Sequence, residues 1–377
     1  MRLTMERETL LKGVSRTLGV VDRRGTMPIL SHFLLDAADG VVTISATDLE
    51  VSFQGQYPAM VEEPGSLTLP AQYVHNLIKE LPGATLNLEG TEKSNLQLTV
   101  GESRYQLLGL PADQYPAIPQ ITDQIMVEVE CRVLREMIDK TIFSVSVDDL
   151  QYHLSGIFWE RTQNDEGAYF LRMVSTDGHR LTLIERPLPE SEHFGIEEGI
   201  LIPRKGVGEI SRLLAEEEKV SLGLTKQSLA LKADSKFLFI RLLEKKFPEY
   251  RRIIPDSSTF HFVVNRREFR NTLHRISMLS TERFRGVIMK MGAEELEASF
   301  SNPEVGEGRE VLPLKLEQGD PEALPMEIGF NARYLLEPLN VMDAEEVVLE
   351  INDRDRPCRL VSKGDPAYFT IIMPMSL

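Results

Sequence analysis

The sequence contains only two cysteines, Cys131 and Cys358, in 377 residues. Two isolated cysteines cannot supply the disulfide framework of a small secreted domain, and their spacing does not match a paired zinc-ligand motif. Both are expected to be small buried hydrophobic residues.

No apolar run approaches the roughly 18 residues that a membrane-spanning helix needs. The N-terminal segment Met1–Arg7 contains an acidic residue and runs directly into patterned sequence. It does not resemble a secretory signal, so we expect a cytoplasmic protein that does not associate with membranes.

Basic residues are also scarce, because 42 lysines and arginines are outnumbered by 58 aspartates and glutamates, giving a formal net charge of −16. Such a charge argues against a nucleic-acid partner unless the basic residues are segregated onto one surface. Hydrophobic residues make up 42% of the chain, which is enough for well-packed cores. The length is sufficient for two or three domains.

The chain carries a threefold internal repeat. Each third contains the same four landmarks in the same order: a strand running into a helix, a polar strand exit, a second strand running into a helix, and a proline-containing close. The strand exits are Thr47-Asp48, Thr176-Asp177 and Ser301-Asn302. A repeat of roughly 126 residues has the size of a small domain and is too long for a solenoid unit. The predicted domains comprise residues 1–123, 124–257 and 258–377.

Within each repeat, alternating strands outnumber helices, which indicates an α+β fold with antiparallel sheets and two helices per repeat. Six windows have helical periodicity. They are residues 6–18, 71–81, 131–143, 204–215, 265–278 and 331–342. In the second window, the spacing places Tyr73 on the core face with Val74 and Ile78. Pro338 is expected to kink or end the last helix.

The helical windows are net basic in an otherwise acidic chain. Together they carry +7, which leaves −23 on the remaining residues. Helical wheels place Lys12 and Arg16 opposite the apolar face of the first window, and Lys205 and Arg212 opposite that of the fourth. One interpretation is that solvated helix faces simply favour lysine and arginine. The alternative is that the helices line one surface that contacts phosphate groups without reading sequence.

The segment Thr176–Arg180 is the most chemically suggestive string, since Asp177 and His179 could form an acid–base or metal-binding pair. However, no third ligand cluster is evident nearby, and no nucleophile elbow or phosphate loop is present. The first repeat has Thr47-Asp48 at the equivalent position without a histidine. We therefore expect neither an enzyme nor a cofactor or metal. A hydrolase that uses Asp177 and His179, and a repeat-built interaction protein that binds no nucleic acid, are the alternatives.

Eight motifs resemble those of the bacterial β sliding clamp family, the processivity subunit of DNA polymerase III. They occur in register along the whole chain and are MPIL at Met27–Leu30, ATDLE at Ala46–Glu50, STDGHRL at Ser175–Leu181, IPRKGV at Ile202–Val207, FPEYRRIIP at Phe247–Pro255, FRGV at Phe284–Val287, EIGFN at Glu327–Asn331 and MPM at Met373–Met375. The resemblance implies three clamp-type domains per chain and a head-to-tail homodimer that closes into a ring, with helices lining the hole and sheets outside.

The same resemblance implies a non-catalytic function. The ring would encircle double-stranded DNA, slide along it and tether the polymerase, raising its effective concentration at the primer end. The implied partners are the DNA polymerase III catalytic subunit, the clamp loader, and other polymerases and repair proteins that carry clamp-binding peptides.

The family pattern also implies roles for individual residues. The implied DNA-facing residues are Arg24, Tyr152, His153, Arg204 and Lys205. The implied partner-peptide groove lies between the second and third domains, beside the C-terminus. It comprises Leu154, Thr176, Gly178, His179, Arg180, Leu181, Pro248, Arg252, Ile253, Asn331, Tyr334, Ile371, Met373, Pro374 and Met375. It would take short, mostly apolar peptides of the Gln-Leu-x-Leu-Phe kind. The members implied to bury the Leu and Phe anchors are Leu154, Leu181, Ile253 and Met373. For the interface between protomers, the pattern implies Arg104, Met278, Leu279, Glu304 and Glu307.

Two places depart from the family pattern. Val147–Asp149 is acidic and apolar where members of the family tend to be polar or basic, and Gln151 and His153 replace the more usual arginine and aromatic residues. Ser376 stands where an arginine is common, at the rim of the implied groove.

Overall fold

The structure is a computed structural model that describes residues 1–91, 94–119, 126–188, 194, 196, 198–225, 227–244, 246–279 and 286–375, with residue 149 described by its backbone only. Within these residues, six α-helices form. They are α1 (Arg7–Thr17), α2 (Ala71–Glu80), α3 (Cys131–Asp139), α4 (Arg204–Leu214), α5 (Arg266–Ser277) and α6 (Ala332–Val341). None of the helices in the described part of the chain is long and apolar enough to cross a membrane.

All six predicted helical windows form helices, with two differences in where they end. The third helix ends at Asp139, four residues earlier than the periodicity predicts. The sixth does not end at Pro338 but continues to Val341, and the backbone N–H of Met342 donates to the Pro338 carbonyl at 3.0 Å. Because Pro338 lies in the last turns of the helix, it removes one backbone hydrogen bond without preventing the final turn.

The predicted core face of α2 is wrong at one position. Tyr73 is 75% exposed, whereas Ala71, Val74 and Ile78 are buried. These three residues follow the i, i+3, i+7 spacing of a single stripe, and Tyr73 is offset from Val74 by about 100° around the axis. The short helix therefore buries a stripe too narrow to include the tyrosine.

The described residues pack as two compact units, which are formed mainly by Met1–Arg132 with Lys205–Leu242, and by Val133–Ser191 with Leu243–Leu377. The first unit contains two antiparallel sheets. The five-stranded sheet has the order β5 (Met60–Glu63), β1 (Arg2–Glu6), β7 (Thr85–Gly90), β8 (Leu96–Val100), β9 (Ser103–Leu107). The eight-stranded sheet has the order β10 (Met126–Glu130), β15 (Lys219–Leu224), β16 (Ser228–Ala233), β17 (Lys236–Arg241), β4 (Val51–Pro58), β3 (Val41–Thr47), β2 (His32–Ala38), β6 (Gly65–Pro70).

The second unit also contains two antiparallel sheets. The nine-stranded sheet has the order β14 (Ile200–Pro203), β11 (Gly156–Gln163), β12 (Tyr169–Thr176), β13 (Arg180–Pro187), β26 (Asp365–Ile372), β25 (Cys358–Ser362), β24 (Glu346–Ile351), β18 (Phe260–Asn265), β22 (Lys315–Gln318). The four-stranded sheet has the order β21 (Gly306–Pro313), β20 (Glu295–Asn302), β19 (Gly286–Met291), β23 (Met326–Asn331).

The threefold repeat of the sequence reappears in the order of the elements. Each repeat has two strands that run directly into helices: β1–α1 and β6–α2, then β10–α3 and β14–α4, then β18–α5 and β23–α6. The two long sheets join consecutive repeats, because β4 pairs with β17 and β13 pairs with β26. Compact packing therefore does not follow the repeats one by one, and the predicted boundaries at 123/124 and 257/258 stay a prediction.

Buried and more exposed side chains alternate along the strands, as the sequence predicts, and the buried ones form the cores. Along β8, Leu96, Leu98 and Val100 are buried and the residues between them are half-exposed. Both cysteines are buried and free, which confirms the expectation for Cys131 and Cys358. Burial raises the pKa of the Cys131 thiol to about 11, so this side chain stays protonated at neutral pH.

Candidate functional site

The turn between β12 and β13 is held by its own polar side chains. Asp177 Oδ1 accepts hydrogen bonds from the backbone N–H groups of His179 (3.0 Å) and Arg180 (3.1 Å). Thr176 Oγ1 donates to the Arg180 carbonyl at 2.6 Å and accepts from the N–H of Gly178, whose φ of +86° suits glycine. Asp177 also accepts from Arg180 Nε at 3.0 Å. Since the Asp177 carboxylate caps the turn and pairs with Arg180, the geometry gives no support to an Asp177–His179 acid–base pair.

Arg180 links this turn to helix α6. Its buried guanidinium donates through Nη1 to Glu337 and through Nη2 to the Phe143 carbonyl at 2.5 Å. The same guanidinium lies 4.5 Å from the centroid of the Tyr334 ring, and the His179 ring stacks on Tyr334 with centroids 6.3 Å apart. A buried guanidinium with carboxylate, carbonyl and aromatic partners is electrostatically satisfied. The structure thus brings together His179, Arg180 and Tyr334, three of the residues that the family pattern assigns to the groove.

The C-terminal residues lie beside the same turn. Leu181 pairs with Ile371 across β13 and β26, and the N–H of Met373 donates to the His179 carbonyl at 3.0 Å. The N–H of Met375 donates to the carbonyl of Gly329, in β23, at 2.8 Å. The backbone of this segment is therefore fixed, while the side chains of Met373 and Met375 are exposed.

The four residues expected to receive peptide anchors divide into two pairs. Leu154 and Leu181 are buried in one apolar cluster that also contains Ile371, Phe247 and Tyr250. Ile253 and Met373, in contrast, are 41% and 38% exposed. The first pair can form the floor beneath a binding surface, and the second pair offers the apolar surface itself.

The remaining predicted groove residues also lie in the second unit. Arg252 is exposed and its guanidinium pairs with Glu249 at 2.6 Å, and Pro248 and Pro374 are half-buried. Asn331 is buried, and its side-chain oxygen caps α6 by accepting from the N–H of Arg333 at 3.0 Å. Phe284 and Arg285 of the FRGV motif, and Ser376, lie outside the described residues.

Sequence reasoning did not assign roles to three residues that hold this region together. Glu337 and Phe143 both contact Arg180, and Tyr250, the first residue of the 3₁₀ turn that carries Ile253, is buried in the cluster with Leu154 and Leu181. The FPEYRRIIP motif draws attention to Tyr250 in the sequence. The motif does not indicate the role of this residue, because it does not show which side chains are buried.

The expected DNA-facing residues of the second unit are accessible. Tyr152 and His153 are exposed in the short 3₁₀ segment Asp149–Leu154, which Asp148 caps by accepting from the N–H of Leu150 at 2.9 Å. Leu150 itself is also exposed. Arg204 is exposed at the start of α4. The capping residue Asp148 belongs to the acidic and apolar segment Val147–Asp149, one of the places where the chain departs from the family pattern.

The two expected DNA-facing residues of the first unit, Arg24 and Lys205, differ in their contacts with the rest of the unit. Arg24 is exposed, in a loop where Asp22 accepts from its N–H at 2.9 Å. Lys205 is already engaged, because its Nζ donates to the Val20 carbonyl at 2.7 Å and to the carboxylate of Asp48. The positive charge of Lys205 is therefore partly neutralised within the unit.

The wheel prediction for Arg16 is wrong. Arg16 is only 8% exposed, its guanidinium lies 5.5 Å from the Phe53 ring centroid, and it pairs with Glu216 at 3.6 Å. Its aliphatic stem is long enough to lie along apolar surface while the guanidinium finds a partner. Lys12 is more exposed and approaches the same Glu216 carboxylate at 3.9 Å.

An open cavity of about 800 Å³ with a mixed apolar and charged lining lies beside α1 and α4 within the first unit. Its charged lining residues are Glu8, Lys12, Arg16, Arg23, Arg212 and Glu216. Arg212 pairs with the buried Glu209 at 2.7 Å. Burial raises the pKa of Glu209, against the opposing charges of Arg212 and Arg16. Four of the six charged lining residues are basic, and part of their charge is balanced locally.

The residues expected at the protomer interface lie at or next to two sheet edges. Arg104 is exposed on β9, Glu307 is exposed at the beginning of β21, and Glu304 is exposed two residues before that strand. Met278 is exposed directly after α5, and the Leu279 carbonyl accepts from the buried Asn302 side chain at 3.3 Å. Each of β9 and β21 is a terminal strand of its sheet, so each has a hydrogen-bonded neighbour on one side only among the described strands.

The described residues contain no cluster of three or more His, Cys, Asp or Glu side chains that could hold a metal ion.

Three family models match the chain: the DNA polymerase III beta subunit N-terminal domain over residues 1–119, the central domain over 128–249 and the C-terminal domain over 251–376. A beta sliding clamp of Pseudomonas putida is 34% identical, with full coverage of both chains. This chain belongs to the beta sliding clamp family. The beta sliding clamp of Escherichia coli strain K12 is 30% identical, again over the full length of both.

Solved structures agree with this assignment. The DNA polymerase sliding clamp of Caulobacter crescentus superimposes with a TM-score of 0.92 at 31% identity, covering all of both chains. A DnaN sliding clamp of Bartonella birtlesii bound to griselimycin gives a TM-score of 0.93 at 29% identity with the same coverage. The expected fold class, three clamp-type α+β domains in one chain, is confirmed.

Proposed function

We propose that this beta sliding clamp acts as a homodimeric ring that encircles duplex DNA and slides without reading its sequence. Through the groove described above, it would tether the DNA polymerase III catalytic subunit, the clamp loader, and other polymerases and repair proteins. The ring would act in the cytoplasm by topological linkage, with no chemical step of its own. The observation that carries the proposal is the repeated pattern of sheet edges.

Two junctions between repeats are built in the same way. At the first junction, β4 ends the group β6-β2-β3-β4 of the first repeat and pairs with β17, which ends the group β10-β15-β16-β17 of the second. At the second junction, β13 ends the group β14-β11-β12-β13 of the second repeat and pairs with β26, which ends the group β22-β18-β24-β25-β26 of the third. By the same pattern, β21 of the third repeat and β9 of the first repeat are the matching edges. Two chains joined twice by β21–β9 pairing would close six repeats head to tail, and neither β21 nor β9 would remain an unpaired edge.

The internal junctions also predict the register of this pairing. Phe239 lies opposite Ser52 in the first junction. The ladder positions of Phe239 and Ser52 correspond to Gln106 of β9 and Glu307 of β21. We therefore expect Gln106 of one protomer opposite Glu307 of its partner, close enough for a disulfide if both are cysteine.

Cross-linking tests this arrangement. Under mild oxidation, the Gln106→Cys/Glu307→Cys protein should form covalent dimers in high yield, since Cys131 and Cys358 are buried. The pair Gln106→Cys/Val311→Cys, four residues out of register, is the matched control and should not cross-link. Equal yields from both pairs would contradict the register.

Two further features support the binding activities. Arg24, Arg204 and Arg212 are exposed, and a small number of phosphate contacts is suited to loose, sequence-independent binding. At the groove, Ile253 and Met373 present apolar surface on a fixed backbone, and unbranched methionine side chains adapt to different peptide sequences.

The decisive experiment is topological. The clamp is loaded onto a nicked circular plasmid by a clamp loader, and retention is measured before and after the plasmid is cut once. Retention on the circle and loss from the linear form would support encirclement. Equal retention on both forms, or a monomer in sedimentation equilibrium, would contradict it.

A further inference from the structure

A ladder of alternating charges crosses three adjacent strands of the second unit. Glu160 of β11 lies directly opposite Arg172 of β12, which lies directly opposite Glu185 of β13. Arg172 Nε donates to Glu185 at 2.7 Å, and Arg172 Nη1 approaches Glu160 at 3.4 Å. The pairs are largely buried, and buried ion pairs of good geometry hold side chains in defined positions.

The ladder is attached to the segment that carries part of the predicted groove. The buried hydroxyl of Tyr250 donates to Glu160 and accepts from Arg172 Nη1 at 3.0 Å. Arg251 Nη2 donates to both oxygens of the same Glu160 carboxylate, at 2.9 and 3.0 Å. Burial and the hydrogen bond to Glu160 raise the pKa of Tyr250, so its hydroxyl remains a donor at neutral pH.

Aromatic packing holds the same segment from below. The rings of Phe158 and Phe247 stack with centroids 4.9 Å apart and an interplanar angle of 3°, and Tyr250 packs at an angle to both. All three lie in or against the cluster that contains the groove residues Leu154 and Leu181. Hence the same cluster that supports the groove floor also supports the turn bearing Ile253.

We propose that Tyr250 is a positioning residue for the peptide groove. Its hydroxyl, held by Glu160 and Arg172, fixes the 3₁₀ turn Tyr250–Ile253 so that the exposed side chain of Ile253 forms a rigid wall. The inference rests on the proposed function, because it concerns the same groove. Without the anchor, the turn would have to be ordered when a peptide binds, and that loss of entropy would lower affinity.

The chain offers a matched control for removal of the hydroxyl group. Tyr115 is also buried, and its hydroxyl donates to the His32 carbonyl and accepts from the Thr47 N–H, both at 3.1 Å. It lies in the first unit, whereas every predicted groove residue lies in the second. Tyr115→Phe therefore also removes two hydrogen bonds of a buried tyrosine hydroxyl, here to neutral backbone groups, and neither involves the groove.

The experiment measures binding of a fluorescein-labelled Gln-Leu-Ser-Leu-Phe peptide by anisotropy. Tyr250→Phe is expected to weaken the wild-type affinity about tenfold, in keeping with the coupling energies of hydrogen-bonded networks, and Tyr115→Phe to leave it unchanged. Glu160→Gln keeps the side-chain shape and should weaken binding similarly. The double variant Tyr250→Phe/Glu160→Gln should bind no more weakly than the weaker single variant, because both remove the same anchor.

Hydrogen exchange separates positioning from a general loss of stability. In Tyr250→Phe, the amides of residues 250–254 should exchange faster while those of β12 and β13 keep wild-type protection. If both Tyr250→Phe and Glu160→Gln bind the peptide as wild type does, the inference is wrong and the groove assignment stands. If the wild-type protein itself does not bind the peptide, the groove in the proposed function is wrong and the inference falls with it.

Discussion

Lys205 and Asp48 form an ion pair in which the lysine Nζ also donates to the Val20 carbonyl at 2.7 Å. Asp48 uses its other oxygen to accept from the N–H groups of Glu50 and Val51, at 3.0 and 2.6 Å. The strand exit of the first repeat is therefore a turn cap, like Asp177 in the second repeat, and it also holds a lysine that the family pattern assigns to DNA.

Neutralising Asp48 should strengthen DNA binding. In Asp48→Asn, the side-chain oxygen can still cap the turn, but the charge of Lys205 is no longer balanced. With a short linear duplex at low salt, we expect a tighter complex and a salt dependence steeper by about one counterion. Fluorescence anisotropy across a potassium chloride series measures both. The gain should disappear in Asp48→Asn/Lys205→Ala, and an unchanged salt slope in Asp48→Asn would contradict the prediction.

Removing the apolar side chains after α5 should weaken the dimer. Met278→Ala with Leu279→Ala removes surface next to the β21 edge, and buried apolar anchors at an interface commonly contribute more than about 1 kcal/mol each. We expect the dissociation constant in sedimentation equilibrium to rise at least about tenfold. Met60→Ala is the control, because Met60 is 68% exposed and Met278 is 67% exposed. Unchanged sedimentation of the double variant at low protein concentration would refute the assignment.

Truncating Met373 should uncouple tethering from loading. Met373→Ala, or deletion of residues 373–377, removes exposed apolar surface at the groove, so polymerase stimulation should be lost while loaded rings remain on circular DNA. Primer extension and gel filtration of loaded plasmid measure the two properties. Met373→Leu, which keeps an apolar side chain of similar volume, should retain most of the stimulation. Full stimulation by Met373→Ala would remove Met373 from the groove.

Because its carboxyl group is buried, Glu209 should lower the free energy of unfolding as the pH rises. Burial raises the pKa of Glu209 above its value in the unfolded chain, so the folded state binds the proton more tightly. Its contribution to stability is present below the unfolded pKa and is lost as the pH rises through the folded pKa. Glu209→Gln should therefore be more stable than wild type at pH 7, by on the order of 1 kcal/mol.

The measurement for Glu209 is chemical denaturation of wild type and Glu209→Gln at several pH values between 4 and 7.5. The stability difference in favour of the variant should grow with pH across this range. A difference that shrinks with rising pH would mean that the ion pair with Arg212 outweighs burial.

The helices and strands of this protein were predictable because their signals are local. Apolar spacing along a helix reports which side is buried, and all six windows form helices. The errors at Tyr73 and Arg16 have a common cause. A wheel treats one helix in isolation, whereas the strand that carries Phe53 and the carboxylate of Glu216 decide how Arg16 is buried.

The predicted groove was accessible from the sequence only through its motifs. Thr176–Arg180 has the composition of a catalytic string, and only the hydrogen bonds show that Asp177 caps a turn and that Arg180 is buried against Tyr334. Likewise, Leu154 and Ile253 are both apolar, but one lies in a buried cluster and the other is exposed.

The sequence by itself determined the threefold repeat, the paired strand–helix units and the basic character of the helices, since each is a property of residues close together in the chain. The tertiary structure alone decided which edges meet and which charges are neutralised. The β4–β17 pairing and the Lys205–Asp48 ion pair join residues more than 150 positions apart. Local periodicity carries no information about such partners, because they are selected by the packing of whole sheets.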